Sequence, residues 1–292
     1  MIIVAIGGGL GNQLFEYAFG YSLSKKLNTT LKLDLSGFES GNYITKREFT
    51  LNRFNINCDL ALAEDIMRIK HTHTPKLVKS IYKRIFPYYQ QWIVEEKEFG
   101  FDPNYLNIPD NRFILGVWHS YKYFDNYKEE ILSQIQLREI QKLASKSIFQ
   151  EITNNPNAVA VHIRRGDYLI QPLYLNRHGL CDISYYKKAS EIIESKISNP
   201  TYYIFSDDIN WAITNLSFLR KNIPVSTLGL ADYEELIVMS KCKHHIIANS
   251  SFSWWGAYLG QHEKQIVVAP KNWFAGENID ENNLFLPFWE SI

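Results

Sequence analysis

The stretch VAVHIRRGDYL, Val159 to Leu169, decides how this chain is read. Its first half is a run of small and β-branched residues, the pattern of a strand buried on both faces. The run ends at His162 and Ile163, and Arg164, Arg165, Gly166 and Asp167 follow at once. Two guanidinium groups and an imidazole at the mouth of a core strand are either a surface turn closed by an Arg–Asp pair or an anion site. Alternate strand residues face opposite sides. Ala158, Ala160, His162 and Arg164 therefore share one face, and Val159, Val161, Ile163 and Arg165 share the other. On that parity His162 and Arg164 act on one ligand, while Arg165 turns back to pair with Asp167. An arginine fork matches phosphate geometry and keeps its charge. An imidazole beside it can hydrogen-bond a base or a phosphate. The RGD tripeptide at 165–167 also serves as an adhesion signal in secreted proteins, but here it flanks a buried strand.

Downstream of TNNPNA (153–158), which breaks a helical pattern with Asn and Pro, apolar runs alternate regularly with helical segments. AVAVHI, YYIFS, 223–227, KHHIIA and QIVVA read as strands. Helices are expected at 183–197, 208–219, 232–240 and 252–260. Five strands alternating with helices imply a parallel, doubly wound sheet. Upstream, IIVAI (2–6), the glycine loop GGGLGN, a helix from Gln13 to Leu27 and the strand LKLDL (31–35) open a second α/β unit. FTLNRF, QWIVEE and RFILGVW read as further strands, with a helical piece near 60–70 and a long helical pattern over 123–151. The division is placed at 1–152 and 153–292, and the aromatic tail 271–292 is expected to pack back on the first part.

In open α/β sheets ligands sit beyond the carboxyl ends of the strands. That rule selects GGGLGN, HIRRGD, SDD and NSSFS. The glycine loop resembles a dinucleotide fingerprint through Gly7 and Gly9, with Asp34 at a suitable distance. Asn12 replaces its third glycine, which breaks the motif. Asn249, Ser250, Ser251, Phe252 and Ser253 follow a strand and open a helix. Such a segment either caps the helix in the ordinary way or presents N–H groups to phosphate. Ser206, Asp207 and Asp208 are read the same way, with capping favoured for the two aspartates, and Asp232 is a further candidate cap. The chain contains no D-x-D, so a diphosphate would be held by Arg164 and helix ends, without a metal.

Equal numbers of basic and acidic residues, 31 each, argue against a nucleic-acid partner, which usually demands a basic excess. The three cysteines, Cys58, Cys181 and Cys242, have no metal-binding spacing, which suggests a reducing, cytoplasmic setting. The N-terminus MIIVAIGGG reads as a first strand and not as a signal peptide. No apolar run approaches the roughly 20 residues of a membrane span.

GGLGNQLFEYA, GVWHSYKYF, HIRRGDY, FSDD with Trp211, and SSFSWWGAYL, in this order from residue 8 to 260, resemble the α-1,2-fucosyltransferases of glycosyltransferase family 11. The resemblance implies a GT-B-like fold, two Rossmann-like domains facing each other across a cleft. It implies GDP-β-L-fucose as donor, inversion to an α-fucoside on O2 of a galactoside acceptor, and no cofactor or metal. Residues 153–292 would bind the donor, with Arg164 on the β-phosphate, His162 by the guanine nucleotide, and Arg165, Ser206, Asp207, Asp232 and Asn249–Ser253 around them. Residues 1–152 would serve the acceptor through Gly9, Gly11, Asn12, Gln13, Trp118, His119 and Tyr123. Asn12 would face the transferred sugar or the acceptor. For the general base Asp34, Asp167 and Glu16 are candidates. The family pattern has Gln where Glu16 stands, and Gln and Glu where His119 and Tyr121 stand, which bears on acceptor choice. Related fucosyltransferases of α-1,6 and protein-O linkage share the basic motif, so those linkages are alternatives. A non-catalytic GDP or glycan binder and a dinucleotide-dependent enzyme are the rival classes.

Residues 66–94 carry Arg68, Lys70, Lys76, Lys79, Lys83 and Arg84 and no acidic residue, with Leu77, Ile81 and Ile85 at helical spacing. A solvated basic helix with its apolar side turned inward is the first expectation. Peripheral contact with the inner face of a membrane is the second.

Overall fold

The computed structural model describes residues 1–39, 47–275 and 283–292. The chain forms two compact units, Met1–Ile135 with the described part of Asp280–Phe285, and Gln136–Ile279 with Leu286–Ile292. The division falls earlier than the expected break at 152/153. The helices before that break pack on the second unit, where Lys146 pairs with Glu234 and the Tyr203 hydroxyl donates to Glu151.

In the first unit β1 (Ile2–Ala5) leads into α1 (Leu10–Leu27), β2 (Leu31–Asp34) and the short α2 (Ser36–Glu39). Then follow β3 (Asp59–Leu60), α3 (Ala63–Ile69), α4 (Lys76–Ile85), β4 (Ile93–Glu95), β5 (Arg112–Leu115) and α5 (Lys128–Gln134). Among the described residues the sheet has five parallel strands in the order β3-β2-β1-β5-β4. Ile2, Ile3 and Val4 are fully buried, as the central strand of a parallel sheet must be. The first helix starts three residues before its expected start at Gln13, with Gly9 as N-cap. Half of the expected glycine loop is thus helix. It ends at Asn28, whose left-handed φ of 47° is one that asparagine tolerates, and Lys25 and Lys26 in the last turn suit the negative end of the dipole. FTLNRF is not a strand but contains a 3-10 turn, Leu51–Arg53. Its apolar residues are spaced for burial from a loop, with Leu51 and Phe54 fully enclosed.

The long helical pattern over 123–151 is broken into 3-10 turns, α5, α6 (Ile140–Ala144) and α7 (Ser147–Asn154). The second unit then runs through β6 (Ala158–Ile163), α8 (Gly166–Ile170), α9 (Pro172–His178), α10 (Ile183–Lys196), β7 (Thr201–Ser206) and α11 (Ile209–Asn215). It continues with β8 (Asn222–Pro224), α12 (Asp232–Ser240), β9 (His244–Ile246), α13 (Ser251–Leu259), β10 (Val267–Ala269) and β11 (Glu290–Ser291). Its described strands are all parallel, in the order β11-β10-β9-β6-β7-β8. Every residue of β6 and β7 is buried. Val159, Val161 and Ile163 join Tyr202, Ile204 and residues of α10 and α11 in one core cluster. His162, on the other face, lies against Phe252 of α13, ring centroids 5.5 Å apart. The tail adds β11 to the second sheet, while Asn283 accepts from the Ser120 hydroxyl in the first unit.

Candidate functional site

Each sheet has a point where chain order reverses, and ligands of open α/β sheets bind there. In the second unit that point lies between β6 and β9, so the end of β6 and the segments after Ile163 and after Ile246 form it. His162 is 5% exposed. Burial, and secondarily the Arg164 charge, push its pKa down to about 3, so the ring is neutral. Its backbone carbonyl accepts from the Tyr186 hydroxyl, but its own Nδ1 is buried with no hydrogen-bond partner. A buried polar atom left unpaired costs about 1–3 kcal/mol and is the kind of defect that ligand sites retain.

The two arginines differ from the parity expectation. Arg164, not Arg165, holds Asp167, with Nη2 to Oδ2 at 2.7 Å, and it also pairs with Asp207 at 3.1 Å. Arg165 pairs with Asp208 at 3.3 Å, and its guanidinium lies 3.8 Å over the Trp211 ring. Parity assumes extended backbone, and β6 ends at Ile163 before either arginine. Gly166 is needed in this turn because a Cβ there would lie 2.9 Å from Asp207 Oδ2, and Asp207 Oδ1 also accepts from the Arg165 backbone N–H. The two carboxylates engage one edge of each Arg164 terminal nitrogen. A guanidinium has five N–H donors, so donors remain for an anion.

The opposite wall is the start of α13. Ser250 is its N-cap but makes no side-chain capping bond, contrary to ordinary capping. Asn249 is 2% exposed, and its amide is committed to the carbonyls of His178 and Trp273. Ser253 is fully buried, its hydroxyl turned back to Ala248 and Ser250. Both therefore hold the loop rather than face a ligand, while Ser251 and Phe252 stay partly exposed, Phe252 beside His162. Tyr168 ties the two walls together by donating to the Asn249 carbonyl at 3.2 Å. Asp208 does cap α11, accepting from Trp211 N, and the Ser206 hydroxyl accepts from Asp208 N. Asp232 does not cap α12. Ala231 is the N-cap, with Glu234 accepting its N–H, and Asp232 is exposed. Three residues on, Glu235 is half-buried beneath Ser226, and burial raises its carboxyl to about 7.

In the first unit the reversal lies between β1 and β5. The first turn of α1 and the loop after β5 bring Asn12 Oδ1 within 3.2 Å of His119 Nε2. Phe15 and Phe99 pack edge-on against the His119 ring at 4.8 and 5.5 Å. Gln13 is a strut, its amide bonded to Gly8 O, Glu48 O and Thr50 N. Trp118 and Tyr123 are core residues, fully enclosed and packed with Phe19, so neither faces a ligand. Gly11 is buried in the first turn of α1. Glu16 is buried under the loop, accepting from Gly7 N, with a carboxyl raised by burial and by the nearby Glu96. That makes it a support. Asp34, at the end of β2, accepts from Ser36 N.

A model of glycosyl transferase family 11 matches residues 1–292. The chain belongs to glycosyl transferase family 11. Over 98% of its length it is 34% identical to the O-antigen biosynthesis glycosyltransferase WbnK of Escherichia coli, covering 99% of that protein. It is also 34% identical to an Escherichia coli alpha-1,2-colitosyltransferase, with 96% and 94% covered. A mutant of FUT1 from Arabidopsis thaliana, in complex with GDP, shares the fold at a TM-score of 0.51 and 9% identity, over 95% of this chain and 70% of that one. The GT-B-like α/β class expected of family 11 thus matches a chain of two parallel-sheet units.

For a family 11 glycosyltransferase, the second unit gathers His162, Arg164, Ser251 and Phe252 at one strand-end crevice, and the first gathers Asn12 and His119 at another. Glu96 lies outside every motif segment. Its Oε2 accepts both Val117 N at 2.7 Å and Trp118 N at 3.0 Å, and so fixes the loop that carries His119. No local signal marks it, since its partners lie 21 and 22 residues away.

Proposed function

We propose that this glycosyltransferase is inverting and metal-independent, moving L-fucose from GDP-β-L-fucose to O2 of a galactose in an acceptor glycan. The observation that carries the reading is the buried, neutral His162 with an unpartnered Nδ1 beside Arg164 and the start of α13. A guanine nucleotide supplies the missing partner, and its diphosphate meets the guanidinium and the positive end of the helix dipole. As the glycosidic bond breaks, charge grows on the β-phosphate, and donors already in place stabilise it without reorganisation. Asp167 is a poor candidate for the general base because its Oδ2 is occupied by Arg164 Nη2 at 2.7 Å. Asn12 and His119 are the acceptor-side groups, oriented through Glu96.

A second reading has one specific support, the likeness to an alpha-1,2-colitosyltransferase. Colitose is fucose without its 3-hydroxyl, so the same phosphate and base contacts serve either donor. Release of GDP is measured with GDP-fucose and GDP-colitose, each with lactose and other galactosides, in EDTA. The fucosyl reading expects turnover with GDP-fucose and an α-1,2 product by NMR. Preference for GDP-colitose transfers the assignment to the second reading, an α-1,6 or protein-linked product corrects the linkage, and GDP binding without transfer to any acceptor refutes both readings.

A further inference from the structure

Helix α4 has no buried residue. Leu77 is 73% exposed, Ile85 68%, and Ile81 and Val78 48% each, with Phe86 exposed just beyond. A solvated basic helix turns its apolar side inward, and here that first expectation is reversed. Leu77, Ile81 and Ile85 stand four residues apart, on one stripe of the helix. The body of the unit holds α4 by a different face. Tyr82 stacks on Trp92 at 3.8 Å and donates to Gln90 O, and Lys79 donates to Thr72 O. Pro75 precedes the first turn and Pro87 follows the last. An isolated helix of this length is marginal in water, so these anchors preserve an apolar stripe that the described residues of its unit leave exposed.

The charge around the stripe identifies what covers it. The whole chain is neutral, 31 basic against 31 acidic residues, yet residues 66–94 hold six Lys and Arg and no Asp or Glu. Lys76, Lys83 and Arg84 lie on the helix itself and are exposed. Their long stems can lie along an apolar surface while the charged heads remain in water. Exposed apolar residues bordered by cations, on a short helix near Tyr88, Tyr89 and Trp92, have the composition of an interfacial helix. No helix among the described residues is long and apolar enough to cross a membrane, so contact through this face is peripheral.

We propose that the exposed face of α4 seats this protein on an anionic lipid surface, inserting Leu77, Ile81 and Ile85 between headgroups that Lys76, Lys83 and Arg84 attract. Flotation of the full chain with phosphatidylglycerol-containing vesicles and with pure phosphatidylcholine vesicles tests this directly. Binding to the first only, weakened by salt, is expected. Lys76→Gln, Lys83→Gln and Arg84→Gln should each lower partitioning about five-fold. Leu77→Ser with Ile81→Ser and Ile85→Ser should abolish it, with thermal midpoint and turnover of a soluble acceptor unchanged. Equal binding to both vesicles, no binding to either, or binding indifferent to both sets of substitutions overturns the proposal. So does a concentration-dependent dimer that the serine variant dissolves without lipid, because the stripe then belongs to a second copy.

Discussion

Replacing Arg164 separates its two roles. The side chain is 21% exposed and bridges Asp167, 9% exposed, and Asp207, 25% exposed. Exposed ion pairs contribute about 0–1 kcal/mol, and breaking a buried one costs about 3–5 kcal/mol. This partly buried pair of bridges lies between, so Arg164→Ala should destabilise the second unit by about 2 kcal/mol, mostly by stranding Asp167. Removing a preorganised donor to a developing oxyanion should also lower the rate about 10²–10³-fold. Arg164→Lys tells the effects apart. The ammonium keeps the charge near Asp167 and restores much of the stability, but it lacks the planar fork that serves two carboxylates and a phosphate together. Turnover should stay low. Adding Asp167→Asn to Arg164→Ala removes the stranded charge and should recover the thermal midpoint without recovering activity. The assays are GDP release with a saturating galactoside, thermal denaturation, and the shift in midpoint on adding GDP. If Arg164→Lys keeps near-normal kcat/KM, or Arg164→Ala loses stability but retains the GDP-induced shift and turnover, the arginine is structural and does not hold the donor.

Two further outcomes follow from buried groups. Gly116 has a φ of 153° and a Cβ there would lie 2.4 Å from Glu96 Cβ; Gly116→Ala and Glu96→Ala should both displace the His119 loop and raise KM for the acceptor far more than for the donor, by initial-rate kinetics with each substrate varied. Burial holds His162 and His245 at about 3 and His178 and His244 at about 4; because the unfolded chain takes up protons near 6.5 that the folded one refuses, the second unit should lose stability as pH falls from about 6.5 to 4, and melts that do not change over that range would contradict these burials.

Much of the second unit is legible because β6 and β7 are continuous apolar runs of which every residue is buried, so pattern and burial coincide in AVAVHI and YYIFS. The first unit is less legible where few residues carry a strand. Asp59–Leu60 is a strand of two exposed residues, set by pairing with β2 and not by its own composition. The segment 123–151 keeps a helical period through several breaks, since 3-10 turns bury apolar residues at similar spacing. At the site, His162 and Arg164 are marked by their strand-end position alone, whereas Asn249, Ser253, Gln13, Trp118 and Tyr123, in the other motif segments, point into the protein.

By itself the sequence determines the α/β class, the strand ends where ligands are sought, and the basic run without acids at 66–94, because these depend on periodicity and composition along the chain. The tertiary structure alone decides which arginine meets which aspartate, because β6 stops at Ile163 and Asp207 and Asp208 arrive from the neighbouring β7. It alone decides that Glu96 supports His119, and that the apolar side of α4 faces outward. Each is a contact between residues distant in sequence, or the lack of one, and local periodicity carries no information about which surfaces the rest of the chain will cover.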